Sequence, residues 1–505
     1  MNSTRQIKIG TVLVYAKMIS GAVINFVYIP ILLSILGKTE YGIYSSCASI
    51  IGYLTILDFG FSGAYVRFFS KYSQSKDEGK IRKLNFMFLL IFVLIGLIIC
   101  VCGALIAFNV EAILGNKLND DEIALARILL MLMTVNMAIT MPSSSFSAFI
   151  ASREKFIYQR GMELLKTICN PFLTIPVLIM GKGSVGVVMV TTLLTIIVFV
   201  CNIIYTLKCI KIKFAFGKLE FGMFKEIFAF SFFVFLQMLM DQINWQIDKL
   251  ILIRISGSIP VAFYSVGSQI NSYYVLLAGT FSNSFIPRIH RLVEEKMYGE
   301  INDLFIKIGR LQFFISIYIF STFLLFGKAF IRFWVGQGYS SSYYVAVLLM
   351  FPIVIALSEN IGIEILRAEN RHGLLNIIYC FNCLGNIIIT IPLCMKYSEI
   401  GSALGTCISM FLGQVIIANI YYFKVGHIDV LRFFKQIVKI TISLSLAFII
   451  GIVLTIVCNT FIWYRFLLVF IIYTVIFAIM TYFIAMNGYE KNMINTLIAK
   501  CIKWR

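Results

Sequence analysis

The chain has 505 residues, 60% of them hydrophobic and 13% charged, at a mean hydropathy of +0.91, a composition that excludes an ordinary soluble domain. Its formal net charge of +19, from 43 Lys and Arg against 24 Asp and Glu, would ordinarily point to nucleic acid. The excess is instead spread over alternate gaps between apolar blocks, so membrane topology and contact with anionic lipids account for it and nucleic acid is excluded as a partner.

The chain divides into about fourteen apolar blocks of roughly 18 to 28 residues, long enough to span a bilayer as helices. Gaps near 67–83, 151–160, 208–225, 287–310, 367–372 and 424–439, with the two termini, hold 31 of the 43 Lys and Arg. Gaps near 37–41, 109–122, 181–184, 256–262, 328–341, 396–399 and 459–465 hold seven. The Lys/Arg-rich side faces the cytoplasm. The bias keeps one phase along all the blocks, and a missed or invented helix would reverse it. The pattern predicts an all-α, multi-pass protein of the cell inner (cytoplasmic) membrane with about 14 transmembrane helices and both termini cytoplasmic. The longest inside gap is about 24 residues and the outside gaps reach about 14, too little for a separate catalytic domain.

The first block runs from about Thr11 to Leu36, too long for a cleavable signal. Lys17, Ser20, Gly21, Asn25 and Tyr28 share one of its faces. Gly37-Lys38-Thr39 resembles the tail of a phosphate-binding loop, but Leu32 stands where that loop needs glycine, so ATP hydrolysis is not expected. The second block carries Asp58, flanked on its face by Thr55, Ser62 and Tyr65, with Arg67 at its cytoplasmic end. In the fifth, Glu163 and Lys166 are spaced to pair within one helix. The twelve cysteines lie mostly inside apolar blocks and no outside loop carries a pair, so no disulfide is expected; the Cys380/Cys383 spacing reads as packing.

The seventh block, about 227–255, is the most polar and holds Asp241, Asn244, Trp245, Asp248, Lys249 and Arg254. Four buried charges could cost roughly 10 kcal/mol, against roughly 6–11 kcal/mol returned by about nineteen apolar residues. This helix should therefore face protein or water, with Asp241, Asn244 and Asp248 on one stripe. The eighth block is uncharged but polar, with Gln269, Asn271 and Asn283. In the tenth, Asn360, Glu364 and Arg367 share a stripe and Glu359 turns away without an obvious local partner, which makes it a proton-site candidate. His290, His372 and His427 fall in cytoplasmic gaps and should be solvated.

Two weak internal matches suggest a repeat. Asn170, Thr174-Ile175-Pro176 and Gly186 match Asn386, Thr390-Ile391-Pro392 and Gly401. Gly37, Tyr44-Ser45 and Ser62 match Gly257, Tyr264-Ser265 and Ser282. The offsets, 216 and 220, are nearly equal. A six-helix unit repeated in parallel predicts lobes at 1–210 and 211–425, with 426–505 as two further helices and a cytoplasmic tail.

The segment Ile35-Leu36-Gly37-Lys38-Thr39-Glu40-Tyr41-Gly42-Ile43-Tyr44, then Ile56-Leu57-Asp58-Phe59-Gly60 and Val66-Arg67, resembles the start of bacterial polysaccharide flippases. Ile247-Asp248-Lys249-Leu250-Ile251-Leu252 and Phe263-Tyr264-Ser265 resemble their second-lobe entry. These are Wzx-type members of the multidrug/oligosaccharidyl-lipid/polysaccharide exporter superfamily. The resemblance implies two bundles that open alternately to the two sides, with helices 1, 2, 7 and 8 lining the cavity. It also implies outward movement of an undecaprenyl-diphosphate-linked glycan for O-antigen or capsule biosynthesis, beside other polysaccharide assembly proteins. The chain departs from the pattern at Arg254-Ile255-Ser256-Gly257.

In that light Lys17, Arg67, Lys249 and Arg254 would hold the diphosphate. Asn25, Asn244, Gln269 and Asn271 would meet sugar hydroxyls, and Trp245, Tyr273 and Tyr274 would stack on sugar rings. Asp58, Asp241, Asp248 and Glu359 are the candidates for a coupling H+ or Na+. No catalytic residue, cofactor or metal site is expected. The rivals are a multidrug/cation antiporter of the same fold, whose pocket should be net acidic, and a membrane glycan polymerase or ligase, which would want a large outside loop.

Overall fold

The computed structural model describes residues 3–115, 117–215, 221–279, 285–369, 371 and 373–503. Every described element is helical. Eleven helical stretches among the described residues are long and apolar enough to cross a membrane, so the chain is a multi-pass membrane protein. Two of the eleven are interrupted. Ile9–Gln74 is broken at Gly37 (φ 71°), and Gly373–Lys424 at Ser398 (φ 51°). The 22-residue helix Ser258–Gly279 is not among the eleven.

By packing, the chain forms two units, Met1–Ala262 and Phe263–Arg505. The first contains α1 (Ser3–Leu54), α2 (Phe61–Gln74), α3 (Glu78–Phe108), α4 (Val110–Leu114), α5 (Asp120–Ala151), α6 (Phe156–Ile179), α7 (Gly183–Ile204) and α8 (Phe221–Ser256). Helix α9 (Ser258–Gly279) begins in it and runs into the second. There follow α10 (Ile286–Glu294), α11 (Tyr298–Val335), α12 (Ser341–Ser358), α13 (Asn360–Ala368), α14 (Gly373–Met410), α15 (Ala418–Lys424), α16 (Val430–Val457), α17 (Trp463–Met480) and α18 (Gly488–Lys503). Helix α8 packs with the first unit: Phe235 stacks on Phe59 at 4.4 Å, and Ser49 donates to Gln246 at 2.9 Å. The repeat groups the same helix with the helices that follow it; sequence kinship and packing partner are different properties.

The first unit is built around an aromatic cluster. Tyr65 meets Phe88 and Phe149 edge-on at 5.1 and 4.8 Å, and Phe61, Phe92 and Ile227 complete the core. The Tyr65 hydroxyl donates to Asn85 (2.6 Å), whose amide donates to the Lys213 carbonyl (2.9 Å), fastening the chain after α7 to α3. Carboxylates in the cation-poor gaps serve as caps. Glu40 accepts from the Ser184 backbone and hydroxyl at the start of α7, and Glu122 closes a capping box with Asn119 while accepting from Ser258 (2.9 Å). In the Lys/Arg-rich gap after α2, Asp77 caps α3 by accepting from the Lys80 N–H, which holds its carboxyl below the usual range.

One expected face is broken. Thr55–Asp58 forms a short 3-10 turn, followed by Phe59 (φ 50°) and Gly60 (φ 69°), so Asp58 does not share a continuous helix face with Ser62 and Tyr65. Gly60 supplies the left-handed step that a continuous helix forbids.

Within each unit the repeated sequence makes the same local structure. In the first, the hydroxyls of Thr174 and Thr191 donate to the Asn170 side chain at 3.5 and 3.2 Å. In the second, Thr390 and Thr406 donate to Asn386 at 2.7 and 3.3 Å. Backbone positions of positive φ also pair at near-constant spacing: Gly37 with Gly257, Lys76 with Lys296, Gly115 with Gly336, and Lys211 with His427. Ser282 and Asn283 lie outside the described residues.

In the second unit, α17 packs on α11 through Phe326, whose ring lies 5.9 Å from Phe466 and 5.8 Å from Tyr473, while the Tyr473 hydroxyl donates to Ser321 (2.8 Å). The last helix is held by a buried ion pair. Arg310, 4% exposed, donates from Nε and Nη2 to the two oxygens of Glu490, 1% exposed, at 2.6 and 2.8 Å. The same guanidinium donates to Gln436 (2.7 Å) and the Ala485 carbonyl (3.1 Å). At the start of α18 the Asn487 N–H donates to the Glu490 carboxylate and the Glu490 N–H to the Asn487 side-chain oxygen.

Candidate functional site

Polar side chains inside an apolar bundle are costly, so the places where they gather are informative. In the first unit one gathering lies between α1, α6 and α7. Lys17 Nζ sits 2.8 Å from Glu163 Oε2, and Arg160 reaches the same carboxylate at 3.1 Å. Lys166 turns to the Thr195 hydroxyl (2.9 Å), which also accepts from Asn136 (3.2 Å). The expected Glu163–Lys166 pair is therefore replaced by contacts across helices, because α6 sets Glu163 against α1. Two cations meet one carboxylate, and Lys166, one turn along α6 and held by Thr195, is a third, so the gathering carries a formal +2. The cluster is partly open, with the Lys17 and Glu163 side chains 41% and 31% exposed.

A second polar seam joins α1 to α8. Ser49 donates to Gln246, and Gln242 donates to Thr55 at 3.3 Å. Asp248 is buried there, Lys249 and Asn244 are half-buried, and Trp245 is exposed. The Asp241 side chain lies outside the described residues. Asn25 is exposed on α1, and Asp58 accepts from Ser62 at 3.5 Å. Arg67 is exposed, its guanidinium 4.4 Å from the Phe230 ring centre. Arg254 is exposed near Gly115, where an added side-chain carbon would meet it at 3.0 Å.

In the second unit Gln269 and Tyr273 are half-buried. Tyr274 and Asn271 are buried, at 2% and 1% exposure, Tyr274 donating to the Ser316 carbonyl (3.4 Å). Glu359 is 2% exposed and its Oε2 accepts from Asn419 (2.7 Å), while Oε1 has no hydrogen-bond partner among the described residues. Arg367 donates to Glu364 at 2.6 Å, as their spacing implies. The first unit offers a comparison: Asn202, of the same rank in the repeat as Asn419, donates to an alcohol, Ser147 (3.3 Å), where Asn419 donates to an acid. His290 and His427 are exposed, and His372 lies outside the described residues.

Sequence reasoning missed Arg160, Asn136, Gln242, Gln246 and Asn419. The glutamines were visible as an i, i+4 pair on α8, and Asn419 as the repeat partner of Asn202. Among the described residues no group of three or more His, Cys, Asp or Glu is placed to hold a metal.

The arrangement has known counterparts. The chain is 18% identical over 394 residues to a Shigella flexneri protein named "Putative O-antigen transporter", covering 76% of this chain and 90% of that one. It is 24% identical over 208 residues to the Staphylococcus aureus capsular polysaccharide biosynthesis protein CapF, 40% of this chain and 50% of CapF. In fold it resembles the lipid II flippase MurJ in an inward closed conformation, with a TM-score of 0.69 and 17% identity over 94% of this chain and 98% of MurJ. An inward-facing multidrug transporter of the MATE family gives 0.64 and 12% over 79% of this chain and 96% of that transporter. These relatives are transporters and biosynthesis proteins, and residues 9–293, more than half of the chain, match the model of one family directly. The chain belongs to the polysaccharide biosynthesis protein family.

Proposed function

We propose that this chain is a flippase that moves an undecaprenyl-diphosphate-linked oligosaccharide outward across the cytoplasmic membrane, by alternating access and coupled to an ion, for surface polysaccharide assembly. The observation that carries the reading is the cation excess at Lys17, Arg160 and Lys166 around the single carboxylate of Glu163. A diphosphate is the headgroup such a site suits, whereas a cation antiporter would want the opposite sign. Lys249, half-buried beside Asp248 on α8, extends the same chemistry. The lipid tail stays in the bilayer while the headgroup crosses. The amides of Asn25, Asn244, Gln269 and Asn271 and the rings of Trp245, Tyr273 and Tyr274 are the proposed sugar contacts. Arg67 and Arg254 are further phosphate contacts, and Asp58, Asp241, Asp248 and Glu359 remain the coupling-ion candidates.

The test is translocation of defined polyprenyl-diphosphate oligosaccharides by the full chain in liposomes. Lys17→Ala and Lys249→Ala are each expected to slow it by about 10- to 100-fold, the worth of one charge-assisted hydrogen bond, and Lys→Arg to retain part of it. Normal translocation by both alanine variants at normal membrane levels would leave the headgroup to be held elsewhere.

We also propose fourteen crossings, counting each interrupted span twice and α9 once, with both termini cytoplasmic and repeat lobes at 1–210 and 211–425. Reporter fusions after Asp120 should then read outside, and fusions after Lys80 or Glu295 inside. A cytoplasmic signal after Asp120 would overturn the orientation.

A further inference from the structure

Four residues beyond Arg332 on α11, the chain turns at Gly336 (φ 98°) beside a half-open cavity of about 360 Å³. Lys328, Arg332, Tyr343, Tyr344 and Phe461 line it, with Gln337 and Ser340 at its edge. Lys328 and Arg332 are one helical turn apart on α11, so both point to the same side. The walls are fixed. The Tyr343 hydroxyl donates to the Leu324 carbonyl (2.8 Å), its ring stacks on Phe323 at 5.8 Å, and Tyr344 meets it edge-on at 5.2 Å.

Two features set this cavity apart from an ordinary interfacial belt. First, Lys328 and Arg332 make no ion pair among the described residues; their contacts are with rings, Lys328 at 5.3 and 5.2 Å from Tyr343 and Tyr344, and Arg332 at 5.3 Å from Phe461. Second, the repeat does not require them. With Gly336 matched to Gly115, Arg332 matches Glu111, which pairs with Arg127 at 3.4 Å. The second unit has thus placed two unneutralised cations where the first has Ala107 and an acid. It does so in a gap of the cation-poor phase, which holds only seven of the 43 Lys and Arg.

We infer that this cavity binds a phosphate group at the outer end of the second unit. Two convergent cations without a carboxylate suit an oxyanion, and the ring walls suit the sugar or glycerol attached to it. A volume near the lower end for small-molecule sites suits a single headgroup, not a glycan chain. The phosphate could come from an outer-leaflet phospholipid or from the diphosphate carrier after crossing. The outer placement rests on the orientation proposed above; the binding does not.

The test uses the full chain in phosphatidylcholine nanodiscs, titrated calorimetrically with inorganic pyrophosphate. A site is expected in the wild type and equally in a Lys17→Ala/Lys249→Ala variant, which separates this cavity from the proposed transport site. Lys328→Gln/Arg332→Gln should weaken that site by about tenfold or more, and Lys328→Arg/Arg332→Lys should keep it within about threefold. Both exposed positions tolerate substitution, and matched thermal unfolding checks that the fold is kept. In a second arm, native mass spectrometry compares phosphatidylglycerol retained by the wild type and the glutamine variant after purification from mixed lipid. Selective loss there, without a pyrophosphate difference, assigns the phosphate to lipid; loss of the pyrophosphate site assigns it to a free or carrier diphosphate. If the glutamine variant matches the wild type in both arms, the inference is wrong, whatever the outcome of the translocation assay.

Discussion

Replacing Glu490 by alanine is expected to destabilise the second unit by about 3–5 kcal/mol, because it strands a buried guanidinium. Arg310 is 4% exposed and keeps the hydrogen bonds to Gln436 and the Ala485 carbonyl, with the Phe314 ring at 5.8 Å, once the carboxylate is gone. None of these neutral groups balances its charge. The measurement is thermal unfolding in detergent, together with protease access to 488–503, since α18 should detach first. A paired replacement, Arg310→Met with Glu490→Leu, should cost far less, because removing both charges also removes their desolvation. If the single and paired variants unfold alike, the ion pair is not what fastens α18.

Glu359→Gln should abolish the response of transport to an imposed H+ or Na+ gradient while leaving the fold intact. The carboxylate is 2% exposed and has one protein partner, Asn419, which can donate equally well to an amide oxygen. Its free oxygen is an incomplete coordination that a proton or small cation could fill, and a buried acid left incomplete is costly. The check is translocation in liposomes with and without each gradient. A drop of about tenfold or more in the gradient-driven component, with gradient-independent exchange kept, fits the coupling role. An undiminished response would make Glu359 a packing residue.

The fold was legible because hydropathy and the distribution of Lys and Arg are local and cumulative, so single errors do not matter. The break at Gly60 was not legible, since glycine is tolerated inside membrane helices and only the adjoining 3-10 turn gives it away. The candidate site was legible by residue type and not by partner. Lys17 was picked out by its place on α1, but Glu163 lies 146 residues away, and spacing along α6 suggested Lys166 instead. Arg310 and Glu490, 180 residues apart, carried no signal, because a lone arginine near a cytoplasmic gap is what topology alone predicts. Asn271 was expected on the wall of a cleft by its place on a polar face, and in the structure it is buried at 1% exposure. A one-dimensional stripe cannot tell the wall of a cleft from the seam between two helices.

The single-residue break at Gly37 has a mechanical meaning. Residues on either side remain helical, so the change of direction between the two segments is carried by one pair of backbone torsions, those of a glycine. A change in those two torsions alone re-aims the first segment against the second while both stay helical. A side chain at residue 37 would oppose the positive φ and so bias the angle between the two segments.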